Sequence, residues 1–237
     1  MEKLAIQTFD KNALIVNGCN KLGAGLAQSF LQRGAKLIIP VGNITELKEM
    51  KGICGAAKMG KLIPFLGDMS DYDRTFDIAQ VVADEYGLPD IIIAIFNYQA
   101  PKSLPDKNSA NGPDEMNHDE SSFIPGVKAF LEWMKSDPGH RAYIHVCSMN
   151  DDEDGAHTSS TPSDGPTRLK EEISKEFFAA MKDQAIRYFL LYIEDEMNDR
   201  GEMLSDYIIQ LYDSNKKESD TTIHAFHDGA WEEIKMK

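Results

Sequence analysis

The sequence predicts an α/β fold with a doubly wound parallel sheet, and three observations carry that expectation. Short runs dense in Ile, Leu and Val alternate with amphipathic segments along all 237 residues. Within each run, apolar residues are continuous rather than alternating with polar ones, as in parallel strands covered on both faces. The first run, "NALIVN", leads into a glycine-rich turn and then a helix-period pattern, the layout of a cradle for a dinucleotide phosphate.

The elements follow in order. After "NALIVN" come Gly18, Gly23 and Gly25, then Leu22, Leu26 and Phe30 spaced four apart on one helix face. The second and third runs are "KLIIPV" and "KLIPFL". "DYDRTFDIAQVVADEYG" places Phe76, Ile78, Val81 and Val82 at helical spacing and stops at Gly87, a suitable helix end. "DIIIAIF" is the fourth run, "GVKAFLEWMK" a helix, "AYIHVC" the fifth run and "KEEISKEFFAAMK" a further helix. "IRYFLLYI", the helix "EMLSDYIIQLYDS" and a last strand "TTIHAF" complete the chain. No internal repeat and no dividing linker interrupts this order, so the chain reads as a single domain over 1–237. Two polar segments, 101–122 and 150–167, each follow the C-terminal end of a strand. That edge is where open α/β sheets bind ligands, and the segments are either lids or disordered insertions.

Lys plus Arg number 25 against 39 Asp plus Glu, a formal charge of −14. Such a surface repels phosphate backbones and anionic lipid heads, so neither nucleic acid nor a membrane is expected as partner. No run approaches the ~20 apolar residues of a transmembrane helix, and "MEKLAIQTFDK" lacks the apolar core of a signal peptide. Cys19, Cys54 and Cys147 are sparse and odd in number, which fits free thiols in a reduced cytoplasm.

The glycine turn has the spacing Gly-x4-Gly-Ala-Gly. A P-loop needs Lys and then Ser or Thr after the second glycine, where Ala24 and Gly25 stand, so nucleotide-triphosphate chemistry is excluded. A tight strand-to-helix turn would by itself account for the glycines. A dinucleotide site also has an acid at the end of its second strand for the ribose hydroxyls, or an arginine for a 2′-phosphate. Here Val41, Gly42 and Asn43 offer no charge.

From Phe9 to about Trp231 the chain resembles the short-chain dehydrogenase/reductase family. "FDKNALIVNG" resembles its first strand and turn, with Asn17 in place of Thr, and "FLQRGAKLII" its helix end and second strand. "LIPFLGDMSD" is similar to the third strand with an Asp that faces adenine, here Asp68. "VVADEYGLPDIII" resembles the helix and fourth strand before Asn-Asn-Ala-Gly, "AYIHVCS" the fifth strand ending at a catalytic Ser, here Ser148, and "TTIHAFHDGAW" the final strand. The resemblance implies a single Rossmann-type domain, an NAD(P)-dependent oxidoreductase by descent, and cofactor contacts at Gly18, Gly23, Gly25 and Asp68.

The departures decide the expected function. Lys21 or Leu22 falls where the middle glycine belongs, and the turn is one residue short. "AIFN", Ala94 to Asn97, replaces Asn-Asn-Ala-Gly, and Phe96 either fills the cofactor slot or packs into the core. The family reaction uses a Tyr as general acid/base, a Lys four residues on, and a Ser that orients the carbonyl. Ser148 fits, but "SSTPSDGPTRLKEEI" holds no tyrosine. If Lys170 is the lysine, Pro166 occupies the tyrosine position; counted back from "IRYF", Thr167 takes the lysine place and Ser163 the tyrosine place. The relay asparagine falls near Asp119, with Asn117 close by. Tyr98–Lys102 and Tyr212–Lys216 repeat the Tyr-x3-Lys spacing, but Pro101 breaks the first as a helix.

No metal site is expected. "NDDEDG" imitates the start of a calcium loop, yet its twelfth position is Thr161 rather than Glu. His224 and His227, three apart on a strand, point to opposite faces. The expected function is therefore a degenerate member of this family, without cofactor, acting as a binding or assembly partner: a homodimer or tetramer, or the partner of an active paralogue. Phe130, Trp133, Phe177, Phe178, Ile208 and Leu211 would supply the interface. The alternative is an oxidoreductase that uses NAD or NADP with a substitute acid.

Overall fold

The computed structural model describes residues 8–55, 59–99, 118–135, 140–150, 186–193, 200–214, 222–227 and 230–235. In chain order these form β1 (Asn12–Val16), α1 (Lys21–Gln32), β2 (Lys36–Val41), α2 (Ile44–Cys54), β3 (Lys61–Leu66), α3 (Tyr72–Tyr86) and β4 (Ile91–Gln99). Then follow α4 (His118–Lys135), β5 (Ala142–Asn150), β6 (Arg187–Ile193), α5 (Gly201–Asp213), β7 (Thr222–His227) and β8 (Ala230–Lys235). One sheet runs β3-β2-β1-β4-β5-β6-β7-β8. Strands β1 to β7 are parallel and β8 returns antiparallel along β7.

The doubly wound sheet is confirmed, and all seven apolar runs are strands. Their continuous apolar character has a cause: alternate residues of each strand feed two cores. Ile15, Ile39, Ile93, Val146, Leu191 and Phe226 face the layer of α1, α2 and α5. Leu14, Ile38, Ile92, Tyr143 and Leu190 face the layer of α3 and α4. Strand order reverses between β1 and β4, where Val16 pairs with Ala94, and this switch point is the ligand edge of such a sheet.

Three local features shape that edge. The β1–β2 ladder stops at Leu14↔Ile38 although β2 continues to Val41. Lys36 donates its N–H to Lys11 O on the β1 side, so Pro40, in phase with it, would have to donate to β1 and has no N–H. The strands therefore part at the glycine turn. Next, α1 is capped by Asn20, whose side chain accepts from Gly23 N. Finally, α3 ends at Gly87, φ 86°, beside Asn12, whose Nδ2 donates to Tyr86 O and Leu88 O.

The polar segment 101–122 is shorter than expected, because His118 to Ser122 open α4; residues 100–117 lie outside the described residues. Of 150–167, Asn150 ends β5 and the remainder lies outside, as do "KEEISKEFFAAMK", Lys102, Phe177, Phe178, Lys216, the calcium-like "DDEDG" and all the positions weighed for the tyrosine and lysine: Ser163, Pro166, Thr167 and Lys170. No described helix is long and apolar enough to cross a membrane.

Candidate functional site

The switch-point edge is built from the β1–α1 turn, the end of β2, and the ends of β4 and β5. In the turn, Asn17 adopts φ 56°, a left-handed conformation that Asn tolerates better than most residues. Its Nδ2 donates to Ile95 O at 2.9 Å, tying β1 to β4 across the switch point. Asn20 Nδ2 donates to Asn17 O at 3.1 Å, and Asn20 Oδ1 accepts the Gly23 N–H at 2.7 Å.

Gly18 and Gly23 each have a steric reason of their own. A Cβ on Gly23 would lie 2.6 Å from Gly18 Cα, and one on Gly18 would lie 2.9 Å from Ile15 Cγ2. The turn is folded onto the start of α1. Gly25 instead meets α5: a Cβ there would lie 3.4 Å from Gly201 Cα, while a Cβ on Gly201 would lie 2.4 Å from Gly25 C and Leu26 N. Leu22, near the middle-glycine position, is buried in the core.

At the β2 end, Val41 is core and Asn43 caps α2, accepting from Thr45 N and Glu46 N. A charge is present here after all. Glu46 turns back from α2, with Oε2 accepting the Gly42 N–H at 2.8 Å and Oε1 accepting from Asn43 Nδ2 at 2.7 Å. The carboxylate absent from the strand end is thus supplied from the first turn of the next helix. The Asn-x-x-Glu pattern of a capping box was its signal in the sequence. Cys19, in the glycine turn, is half-buried against Glu46. Burial, the Glu46 charge and a hydrogen bond to Glu46 push its thiol up to about 12, so Cys19 stays protonated.

Asp68 lies after β3 and is exposed. Hydrogen bonds from Ser70 Oγ, at 2.6 Å, and Ser70 N, at 2.9 Å, hold its carboxyl below the usual range. It makes a local Asx-turn.

Phe96 packs into the core rather than over the strand ends. It is 3% exposed and stacks on His145 with centroids 4.3 Å apart. On β5, Ser148 stands opposite Asn97 of β4 and Ile193 of β6. Tyr98 pairs with Met149, one step out of register with Ser148. On β6, Tyr192 pairs with Cys147 and belongs to the α3–α4 layer, whereas Ile193 belongs to the α1–α5 layer. Tyr188 is in the same layer as Tyr192, its hydroxyl pushed well above 10 by burial, which unfits it for acid/base work near neutrality. His224 is buried and bonded through Nδ1 to Tyr207 Oη at 2.7 Å.

A dinucleotide would be met unevenly here. Glu46 suits ribose hydroxyls and repels a 2′-phosphate. At the pyrophosphate position the fit is poorer, since Asn20 already holds the Gly23 N–H and Lys21 or the buried Leu22 stands where a glycine belongs.

No protein-family model and no curated protein matches this chain. Solved structures do. An alcohol dehydrogenase from the archaeon Thermococcus sibiricus, complexed with 5-hydroxy-NADP, is 14% identical with a TM-score of 0.62, over 89% of this chain and 95% of that one. A short-chain type dehydrogenase/reductase from Mycobacterium marinum is 15% identical with a TM-score of 0.54, over 87% of each chain. The NADH-dependent reductase A1-R′, complexed with NAD, is 14% identical with a TM-score of 0.53, over 78% of each. At these identities the likeness establishes the fold: the chain is built on the architecture of the short-chain dehydrogenases/reductases.

Proposed function

We propose that this protein keeps the short-chain dehydrogenase/reductase architecture without the hydride chemistry. It serves as a binding or assembly partner, as a homodimer or tetramer or beside an active paralogue, and works without cofactor in a reducing cytoplasm, where Cys19, Cys54 and Cys147 remain free thiols. The observation that carries this reading is the Asn20 cap. One of the α1 N–H groups that a pyrophosphate would approach, that of Gly23, is already bonded inside the chain at 2.7 Å. The absence of tyrosine from "SSTPSDGPTRLKEEI" supports it.

One observation favours the oxidoreductase alternative: the Glu46 carboxylate at the end of β2. In that reading Ser148 and Lys170 are the catalytic groups, and Gly18, Gly23, Gly25 and Asp68 line the cofactor. The discriminating experiment is calorimetric titration with NADH and NADPH, with Trp133 and Trp231 as fluorescent reporters. Neither dinucleotide is expected to saturate the protein in the micromolar range. Saturation by NADH, with NADPH weaker because Glu46 repels its extra phosphate, would restore the enzyme.

A further inference from the structure

We infer that the groove between β3 and α3 is a docking site for a partner segment presenting a large apolar side chain flanked by Lys or Arg. It lies at the free edge of the sheet and does not depend on the nucleotide reading. The groove is an open hollow of about 390 Å³ over a floor that includes Ile63, Phe65, Ile78 and Val82, room for a large apolar side chain.

Its outer wall has a pattern. Asp77, Val81 and Glu85 follow at four-residue intervals on α3, each about 6 Å further along the axis. Val81 is 55% exposed, and both acids line the groove. A single exposed valine is ordinary. One set in the wall of an apolar hollow, with a carboxylate a turn before and a turn after, matches a cation–apolar–cation sequence on an incoming segment. The rest of α3 strengthens the negative field, with Asp73 and Asp84 against Arg74. Lys61 stands at the far end, 4.9 Å from the Tyr86 ring centroid.

Other occupants fit less well. Lys61 N donates to Ala35 O and Gly67 N to Val41 O, so Ile63 and Phe65 bond towards β2, and Leu62, Pro64 and Leu66 direct their backbone groups outwards. Pro64 has no N–H to offer, which interrupts this edge as a template for an added strand. A second copy of this chain would bring the same acidic wall against this one, on a molecule of charge −14.

The test uses the full chain and three fluorescent helical peptides of about 15 residues, long enough to hold a helix. In the first, a central Leu has Lys one turn before and one turn after. The second replaces both Lys by Glu, and the third keeps Lys and replaces the Leu by Ser. Anisotropy titration should show saturable, salt-sensitive binding of the first peptide alone. Val81→Asp, and separately the pair Asp77→Lys with Glu85→Lys, should weaken it about tenfold or more. These positions lie on the surface, and thermal melts will verify that the variants fold. Failure of the first peptide to bind, equal binding of the second or third, or unchanged affinity in the variants would overturn the proposal. So would loss of self-association in the groove variants, which would assign the groove to a second copy.

Discussion

His145 shows how far one buried polar residue can couple stability to pH. It sits within β5, 4% exposed, stacked on Phe96 and 3.1 Å through Nδ1 from Tyr143 Oη. Burial lowers its pKa to about 3, so the folded protein holds it neutral. The unfolded chain binds a proton at this residue below about pH 6.5. The contribution of neutral His145 is therefore fully present above that value and is lost as pH falls towards 3, by up to about 1.4 kcal/mol per pH unit. Urea melts of the wild type and of His145→Gln, taken from about pH 7.5 down to about pH 4.5, measure this directly. The variant is less stable throughout, but its stability should fall less steeply over that interval by about one proton. Equal slopes would show that His145 does not titrate with folding. The stack on Phe96 could not be read from the sequence, and Glu46 was signalled there only by its Asn-x-x-Glu capping pattern, not by its return to the end of β2. Strand parity, which turns Phe96 towards α4, follows from where β4 begins. The reach of Glu46 follows from where α2 is capped. Both are decided by element boundaries that composition does not mark.

Helices α1 and α5 meet along a seam in which small residues and a polar pair recur. Gly25 faces Gly201, Ser29 Oγ lies 2.6 Å from Ser205 Oγ, and Arg33 pairs with Asp206. The two glycines are not equivalent. Gly25 lies within α1, where Ala gains about 0.5–1 kcal/mol in helix propensity, and its added Cβ makes ordinary contact. The Cβ of Gly201→Ala would drive into α1 backbone at 2.4 Å, which side-chain rotation cannot relieve and which costs about 1–3 kcal/mol. Thermal melts should thus give Gly25→Ala a stability equal to or above the wild type and Gly201→Ala one clearly below it. The reverse order would mean that the seam is not the close contact described. The seven parallel strands were legible because burial on both faces forces an unbroken apolar run. Two elements were not. Helix α2 turns only a narrow stripe, Leu47, Met50 and Cys54, to the core and leaves Ile44 and Ile53 exposed on its other side, so its apolar residues do not single out one face. Strand β8, "AWEEIK", is an edge strand rich in charge. Its anchor is Trp231, stacked on Tyr207 at 4.0 Å.

At the scale of the whole molecule, charge and exposed apolar surface oppose each other. Three side chains expected to form a helical interface, Phe130, Ile208 and Leu211, are buried in the protein's own cores, because α4 and α5 each direct their strongest apolar stripe at the sheet. Trp133 stays half-buried against Phe76, 5.3 Å away, on the α3–α4 side. Met203, 39% exposed, lies on α5 across the sheet. The edge that β7 would present is covered by β8. Association through the α4 face and association through the α5 side would use opposite faces of the sheet, so a dimer needs one of them and a tetramer both. Either must bring together chains that each carry −14. That repulsion reaches about 30 Å at 0.01 M salt and only about 8 Å at 0.15 M. The self-association proposed above should therefore strengthen with ionic strength. Light scattering at micromolar protein should report a dimer or tetramer mass near physiological salt, and a mass falling towards the monomer as salt is removed. A monomer mass at every salt concentration would rule out self-association and leave a different protein as the only partner for this scaffold. An oligomer insensitive to salt would place the interface away from the acidic surface.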